Sequence, residues 1–245
     1  CPMLGLERGV WYGVFHAVSA FCNAGFDLFG YQAPYQSLVG FESDPLVLLT
    51  IAGLIVVGGI GFVVWDDVVE HRLNIRRYTL HAKAVLFGTA MLLAGSTVLF
   101  YILEADASFA GMTAPQRLLA AFFQAVTPRT AGFNTVDIGK MAEPARTLII
   151  ILMLIGGSPS STAGGMKTTT IAVLLLNAFA TFRSKDTVSA FHRRIDNHVI
   201  RDAATLLMLY VMLFFGGGIA ISMYEGLPLA ECLYETASAV GTVGL

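Results

Sequence analysis

One short pattern recurs three times along this chain, each time directly after an apolar, helix-like stretch. It reads Ser19-Ala20-Phe21-Cys22-Asn23-Ala24-Gly25-Phe26, then Thr127-Pro128-Arg129-Thr130-Ala131-Gly132-Phe133, then Ser238-Ala239-Val240-Gly241-Thr242-Val243-Gly244-Leu245. An aromatic stands four residues before the leading Ser or Thr in every copy: Phe15, Phe123 and Tyr234. The first and third copies align without a gap, placing Gly25 over Gly244. The second needs a one-residue deletion to bring Gly132 into line. A glycine framed by small or apolar residues lets backbone carbonyls turn toward one axis, where they can replace the water around an ion.

Composition places this pattern in a membrane. Hydrophobic residues make up 56% of the chain and charged residues 13%, about half the charged share of a soluble domain. The net charge of −2 offers no case for nucleic-acid binding. Four segments approach the roughly 20 apolar residues that a spanning helix needs: Leu46 to Trp65, Ala84 to Leu103, an interrupted run from Thr147 to Phe182, and Ala203 to Met223. With no water in the bilayer core, their backbone polar groups must be satisfied internally, which predicts helices. Between them lie shorter amphipathic runs, Trp11 to Phe21, Pro115 to Val126 and Leu229 to Val240, each leading into one copy of the glycine pattern. A short helix followed by a non-helical loop is tolerated at membrane depth where it is buried or lines an aqueous path. Thr242-Val243-Gly244 is, in addition, the start of a potassium-channel filter motif. A single glycine would read equally well as a tight turn or a helix contact. Three copies behind three short helices favour a filter.

Charge assigns the two sides. Arg72, Arg76, Arg77 and Lys83, then Arg183, Lys185, Arg193, Arg194 and Arg201, occupy one set of loops and are predicted cytoplasmic by the positive-inside bias. Asp27, Glu42, Asp44, Glu104, Asp106, Glu225 and Glu231 occupy the opposite set, with Arg117, Lys140 and Arg146 the basic residues there. All three glycine segments then face outside, under an acidic mouth that would concentrate cations. Each short helix would turn its partly negative C-terminal end toward the ion path. Asp66-Asp67, the one adjacent acidic pair, is expected at a cytoplasmic helix end, and no catalytic residue is assigned. Cys1, Cys22 and Cys232 have no metal-ligand spacing and read as small apolar residues or thiols. His16, His71, His81, His192 and His198 form no ligand cluster and read as packing or interface residues. Gly53, Gly58, Gly59 and Gly61, like Gly216, Gly217 and Gly218, fall within spans and are expected at close helix contacts.

The order long helix, short helix, glycine segment, long helix, together with the strings Ala20 to Phe29, Thr130 to Thr135, Gly156 to Thr170 and Gly241 to Leu245, resembles the KtrB/TrkH superfamily of potassium transporters, and KtrB more closely. The Met166-Lys167-Thr168-Thr169-Thr170 ending is the most specific part. The resemblance implies an all-α membrane protein of repeated helix–pore-helix–helix units with pseudo-four-fold symmetry around one pore. Residues 1–72 would hold most of the second unit, 73–186 the third with a broken inner helix, and 187–245 the first part of the fourth. A helix before Cys1 and another after Leu245 are expected, and the family's first filter segment has no counterpart in these residues. The implied potassium-binding filter comprises Asn23, Ala24, Gly25 and Phe26; Thr130, Ala131, Gly132 and Phe133; and Thr242, Val243, Gly244 and Leu245.

The implied intramembrane gating loop comprises Gly156, Gly157, Ser158, Pro159, Ser160, Ser161, Thr162, Ala163, Gly164, Gly165, Met166, Lys167 and Thr168. Pro159 and the glycines break helix there, and Lys167 is either functional at depth or snorkels to the interface. A nucleotide-binding loop is excluded because Met166 interrupts the Gly-Lys pair such a loop requires. Potassium is the implied cargo, with sodium as a possible activator and nucleotide confined to a regulatory partner. The implied partners are membrane lipid, a second copy in a homodimer, and a cytoplasmic RCK-type nucleotide-binding ring for which Arg72, Arg76, Arg77, Arg193 and Arg194 are docking candidates. The rival reading is an alternating-access cation carrier coupled to protons or sodium. Carriers of that kind commonly use inverted repeats, whereas these repeats share one orientation.

Overall fold

The computed structural model describes residues 5–30, 36–72, 74–185, 187–190 and 193–245; Cys1 and His192 lie outside them. Among the described residues the structure is helical apart from one pair of two-residue strands. Its helices are α1 (Leu6–Phe21), α2 (Pro45–Gly59), α3 (Phe62–His71), α4 (Leu80–Leu103), α5 (Ala114–Val126), α6 (Glu143–Leu154), α7 (Thr168–Phe182), α8 (Asn197–Glu225) and α9 (Leu229–Gly241). Strands β1 (Ser189–Ala190) and β2 (Arg193–Arg194) pair antiparallel, with Ser189 opposite Arg194.

Local signals set the helix ends. Asp44 caps α2, its carboxylate accepting from the amides of Leu46 and Val47, and Pro45 opens the helix where no amide is needed. Thr113 and Gln116 form a reciprocal capping box at α5. Helix α8 stops at Gly226, whose φ of 70° continues the chain in the left-handed region.

Helices α4 and α8, of 24 and 29 residues, are long and apolar enough to cross a bilayer, reaching about 36 and 43 Å at 1.5 Å per residue. Little of either is covered by the rest of the chain, and Met208, Leu209, Met212 and Leu213 on α8 are exposed. The expected span Leu46 to Trp65 is not one helix: it breaks at Ile60 and Gly61, and α2 and α3 meet at 95°. Gly61 carries the bend at φ 95°. The expected break in the third span is present between α6 and α7. Thr168, assigned to the loop from sequence, is instead the first residue of α7, and Thr169 and Thr170 follow it in the helix. Lys167, the residue before α7, has an extended backbone and ends the irregular stretch.

The packing repeats. Each helix that leads into a glycine segment lies against a neighbour in sequence, α1 on α2, and α5 and α9 on the longer α4 and α8. The helix following a glycine segment also meets the next short helix, α2 on α5 and α6 on α9. One core cluster gathers Phe100, Phe109, Ile149 and Met153, and another Leu48, Ile55, Phe123 and Phe133. Gly217 and Gly218 face Thr236 and Leu233 of α9, so the close helix contact expected there is present at these two, whereas Gly216 has no neighbour within 4 Å. Arg117 holds the start of α5 to the end of α4, donating from Nε and Nη2 to the Tyr101 carbonyl at 3.0 and 2.6 Å, with its guanidinium over the Tyr101 ring.

Glu104 is fully buried at the end of α4. Its Oε2 accepts from the Ser108 amide and hydroxyl, and its Oε1 from the Ala142 amide just before α6. Hydrogen bonds to a charged group are worth about 1.5–3 kcal/mol each, and their amides would be stranded without it. Glu104→Ala is therefore expected to cost about 3 kcal/mol, with Glu104→Gln losing less because it keeps an acceptor. The thermal midpoints of the full-length protein in detergent check the order.

Candidate functional site

The three glycine segments share one backbone. Asn23 and Gly25, Thr130 and Gly132, and Thr242 and Gly244 all have positive φ, between 51° and 84°. Each segment thus has two left-handed residues flanking one of ordinary hand. Glycine adopts that conformation freely and Asn more readily than most side chains, whereas Thr does so only under tertiary constraint. The structural register is Asn/Thr-Ala/Val-Gly, and it reproduces the one-residue deletion that aligns the second copy.

The amides of these segments point back at the helices. Ala24 N and Val243 N donate to the carbonyls of Ser19 and Ser238 at 2.9 and 2.8 Å, and Ala131 N and Gly132 N to Thr127. The leading hydroxyls complete the anchor. Ser19 Oγ donates to Phe26 O at 2.8 Å, Thr127 Oγ1 to Phe133 O at 2.6 Å, and Ser238 Oγ accepts from Gly244 N at 3.0 Å. Among the described residues, no hydrogen bond reaches the carbonyls of residues 23–25, 130–132 or 242–244.

Neighbouring segments touch head to tail. A methyl group added at Gly25 would lie 2.4 Å from Ala131 O, and one added at Gly132 would lie 2.3 Å from Val243 O. Both targets are the residue before the glycine of the next segment, so the step from first to second repeats from second to third.

The stretch between α6 and α7 reaches all three segments. Thr162 Oγ1 lies 2.9 Å from both Phe21 O and Asn23 Oδ1. Gly164 N donates to Thr130 Oγ1 at 3.2 Å. A methyl group at Gly164 would collide with Thr242 Oγ1. Asn23, Thr130 and Thr242 are the first left-handed residue of each segment, so the loop sits against the same end of all three. Its own turn is held by Gly156 N to Met166 O at 2.9 Å and Thr168 N to Gly157 O at 3.0 Å. It is tied to the bend of α2 and α3 by Ser158 N to Gly59 O and Phe62 N to Ser160 O. Lys167 does not extend to an interface: its Nζ donates to Ala163 O at 2.7 Å, within the loop.

The chain matches, over residues 5–245, the family described as TrkH, cation transport protein. It belongs to that family. The potassium/sodium uptake protein NtpJ of Enterococcus hirae is 39% identical over all of this chain, which covers 54% of NtpJ. The Ktr system potassium uptake protein B of Bacillus subtilis is also 39% identical, over all of this chain and 54% of its own length. The chain thus spans about half the length of these relatives. The crystal structure of the potassium transporter TrkH from Vibrio parahaemolyticus superposes with a TM-score of 0.75 at 17% identity, over 92% of this chain and 48% of that one. The TrkH-like fold is thereby shared. The family transports cations and is not a family of enzymes.

The structure adds residues to this TrkH-family site that motif reading passed over. Arg129, in the turn before the second segment, is 5% exposed, and its Nε and Nη2 have no partner among the described residues. With Asn23, Gly59 and Gly157 it lines a cavity of about 10 Å³, about the volume one water needs. Gly58, Gly59 and Gly61 were expected at helix contacts. Gly58 makes one, against Phe21 O at the end of α1, whereas Gly59 meets only the side chains of Asn23 and Ala163, and Gly61 makes room for irregular backbone at Pro159 O. Gly53 has no neighbour within 4 Å.

His16 packs among Tyr12, Phe15, Phe29 and Phe133. Its two ring nitrogens lie near Tyr12 O and Leu28 N, behind the first segment. Among the described residues no cluster of His, Cys, Asp and Glu could hold a metal ion. Cys22 and Cys232 are free thiols.

A methyl group at Gly58 would fall 2.0 Å from Phe21 O, a backbone atom with nowhere to go. Gly58→Ala is expected to cost at least about 2 kcal/mol through overpacking. Gly53→Ala is expected to be neutral or to stabilise by up to about 1 kcal/mol through helix propensity. Thermal denaturation of the two full-length variants measures the contrast.

Proposed function

We propose that the three glycine segments form a potassium-binding filter in a channel-like uptake pore of the cell membrane. The observation that carries this reading is the division of each segment's backbone, with most amides bonded back to the helix ends and the carbonyls without hydrogen-bond donors among the described residues. Backbone groups at membrane depth cannot stay unpaired, and a column of carbonyl dipoles is a hard-oxygen site for a desolvated alkali cation. Alternating left- and right-handed residues sort N–H groups and carbonyls to opposite edges. Repeated head-to-tail contacts close into a ring when the rotation between them permits, and four pore units would do so, of which residues 1–72, 73–186 and 187–245 would supply parts of three. The C-terminal ends of α1, α5 and α9 add partial negative charge near the ion path.

The stretch Gly156–Thr168, which ends on the first residue of α7, is proposed as the gate, since its Thr162 side chain and Gly164 lie against the same end of the three segments. The basic residues Arg72, Arg76, Arg77, Arg193 and Arg194 are exposed. The positive-inside bias makes their side cytoplasmic and turns the segments outward. Relatives named as components of a Ktr system suggest an assembly with further proteins. A second copy and a nucleotide-binding ring on the basic face are the partners proposed, and sodium as an activator belongs to the same reading. Repeats of one orientation favour a pore over alternating access.

The test is potassium and rubidium uptake with sodium competition in vesicles holding the full-length protein or its Gly132→Ser variant. Gly132 is at φ 78° with Val243 O 2.3 Å from any added Cβ, so a side chain there must displace the filter. Wild type is expected to favour potassium, and Gly132→Ser to lose at least about tenfold of that preference, the equivalent of about 1.4 kcal/mol. Unchanged selectivity would reduce Gly132 to a turn residue and bring the carrier reading forward.

A further inference from the structure

The structure assigns to Asn23 and Thr162 a coupling between gate and selectivity: the loop, when seated, holds the first filter segment in register with the second through the Asn23 side chain. This inference rests on the filter and gate reading above.

Asn23 has three attachments. Its backbone is the first left-handed residue of the first segment. Its Nδ2 donates to Arg129 O at 3.1 Å, across 106 residues of sequence, in the turn that leads into the second segment. Its Oδ1 accepts from Thr162 Oγ1 at 2.9 Å, across 139 residues, from the loop. The amide's orientation follows from its partners. A carbonyl can only accept, so Nδ2 must face Arg129 O, and Oδ1 is left for the hydroxyl of Thr162. The side chain is 7% exposed, so neither arm has bulk water as a ready substitute.

The Thr162 hydroxyl is the weak member of this chain by design of its chemistry. It carries one proton but faces two acceptors, Phe21 O and Asn23 Oδ1, both at 2.9 Å. A single donor shared between two acceptors satisfies each only in part. When the loop withdraws, both acceptors lose that donor together. A buried Oδ1 without a donor favours rotation of the amide toward whatever polar group remains, and rotation takes Nδ2 away from Arg129 O. The contact between first and second segments then loses its side-chain hydrogen bond and rests on packing, with Gly25 against Ala131 and Gly132. Asn23 is thus a positioning residue: the seated loop closes the path and tightens the filter by one set of bonds, and its release opens the path and loosens it. The second segment meets the loop through Gly164 N and Thr130 Oγ1, which does not bridge to a neighbouring segment in the same way.

The experiment measures rubidium flux and potassium-over-sodium preference separately, in vesicles holding the full-length protein. Thr162→Val keeps the shape and removes the hydroxyl. It is expected to raise flux and to lower potassium preference about fivefold, the effect of one ordinary hydrogen bond. Thr162→Ser restores the donor and is expected to restore wild-type preference. Adding Asn23→Ser to Thr162→Val is expected to lower preference no further than the worse single variant, because both changes break one chain of bonds.

Wild-type preference in Thr162→Val, or additive losses in the double variant, would overturn the coupling. A fall in flux with preference unchanged would also overturn it, as the mark of a merely structural role. If Thr162→Val does not assemble, Asn23→Asp decides: it keeps an acceptor for Thr162 and loses the donor to Arg129 O, and is expected to lose preference without a rise in flux. A loop shortened between Ser158 and Gly164 separates the two levels. Unraised flux in that variant removes the gate itself, whereas raised flux beside an inert Thr162→Val leaves the gate standing and removes only the coupling.

Discussion

The arrangement depends on where nine backbone carbonyls find partners. In residues 23–25, 130–132 and 242–244 seven of the nine amides bond back to the ends of α1, α5 and α9, Gly244 N through the Ser238 hydroxyl, and the carbonyls meet no donor in the described chain. At membrane depth such an edge is costly unless an ion or water completes it. The rest of the architecture serves that edge. Short helices end where the segments begin, hydroxyls of Ser19, Thr127 and Ser238 hold the returning chain, and glycines admit the next segment's carbonyl at a distance no side chain would allow.

Small residues recur wherever irregular backbone passes irregular backbone. Gly156 and Gly165 face each other across the base of the loop, with added methyl groups 2.7 and 2.8 Å from the other's Cα. Gly58 and Gly61 receive Phe21 O and Pro159 O. The bend between α2 and α3 and the break between α6 and α7 are therefore one feature, joined by Ser158 N to Gly59 O, Thr162 N to Gly58 O and Phe62 N to Ser160 O. Two broken helices satisfy each other's freed backbone groups, which is how a bilayer tolerates either break. The cost of this economy is that the loop shares partners with a segment it also touches, so moving one disturbs the other.

Much of this was legible in the residues. Long apolar runs, short amphipathic ones, a basic and an acidic set of loops, and three spaced glycine motifs determine an all-α membrane chain with repeated units, because bilayer thickness and backbone hydrogen bonding leave few alternatives. The break at Pro159 and its glycines follows from the same rules. The break at Gly61 does not, since Gly58, Gly59 and Gly61 inside an apolar run weaken a helix without saying where it bends; Gly61 instead meets Pro159 O, from a segment about a hundred residues away. The buried setting of Arg129 and the two-armed bonding of Asn23 are likewise invisible in a motif, because each depends on a partner distant in sequence. Periodicity and composition report what a residue does along its own helix or strand. Which carbonyl would stand 2.4 Å from a methyl group added at Gly25, and which hydroxyl faces Asn23, are relations between segments, and those exist only once the chain has packed.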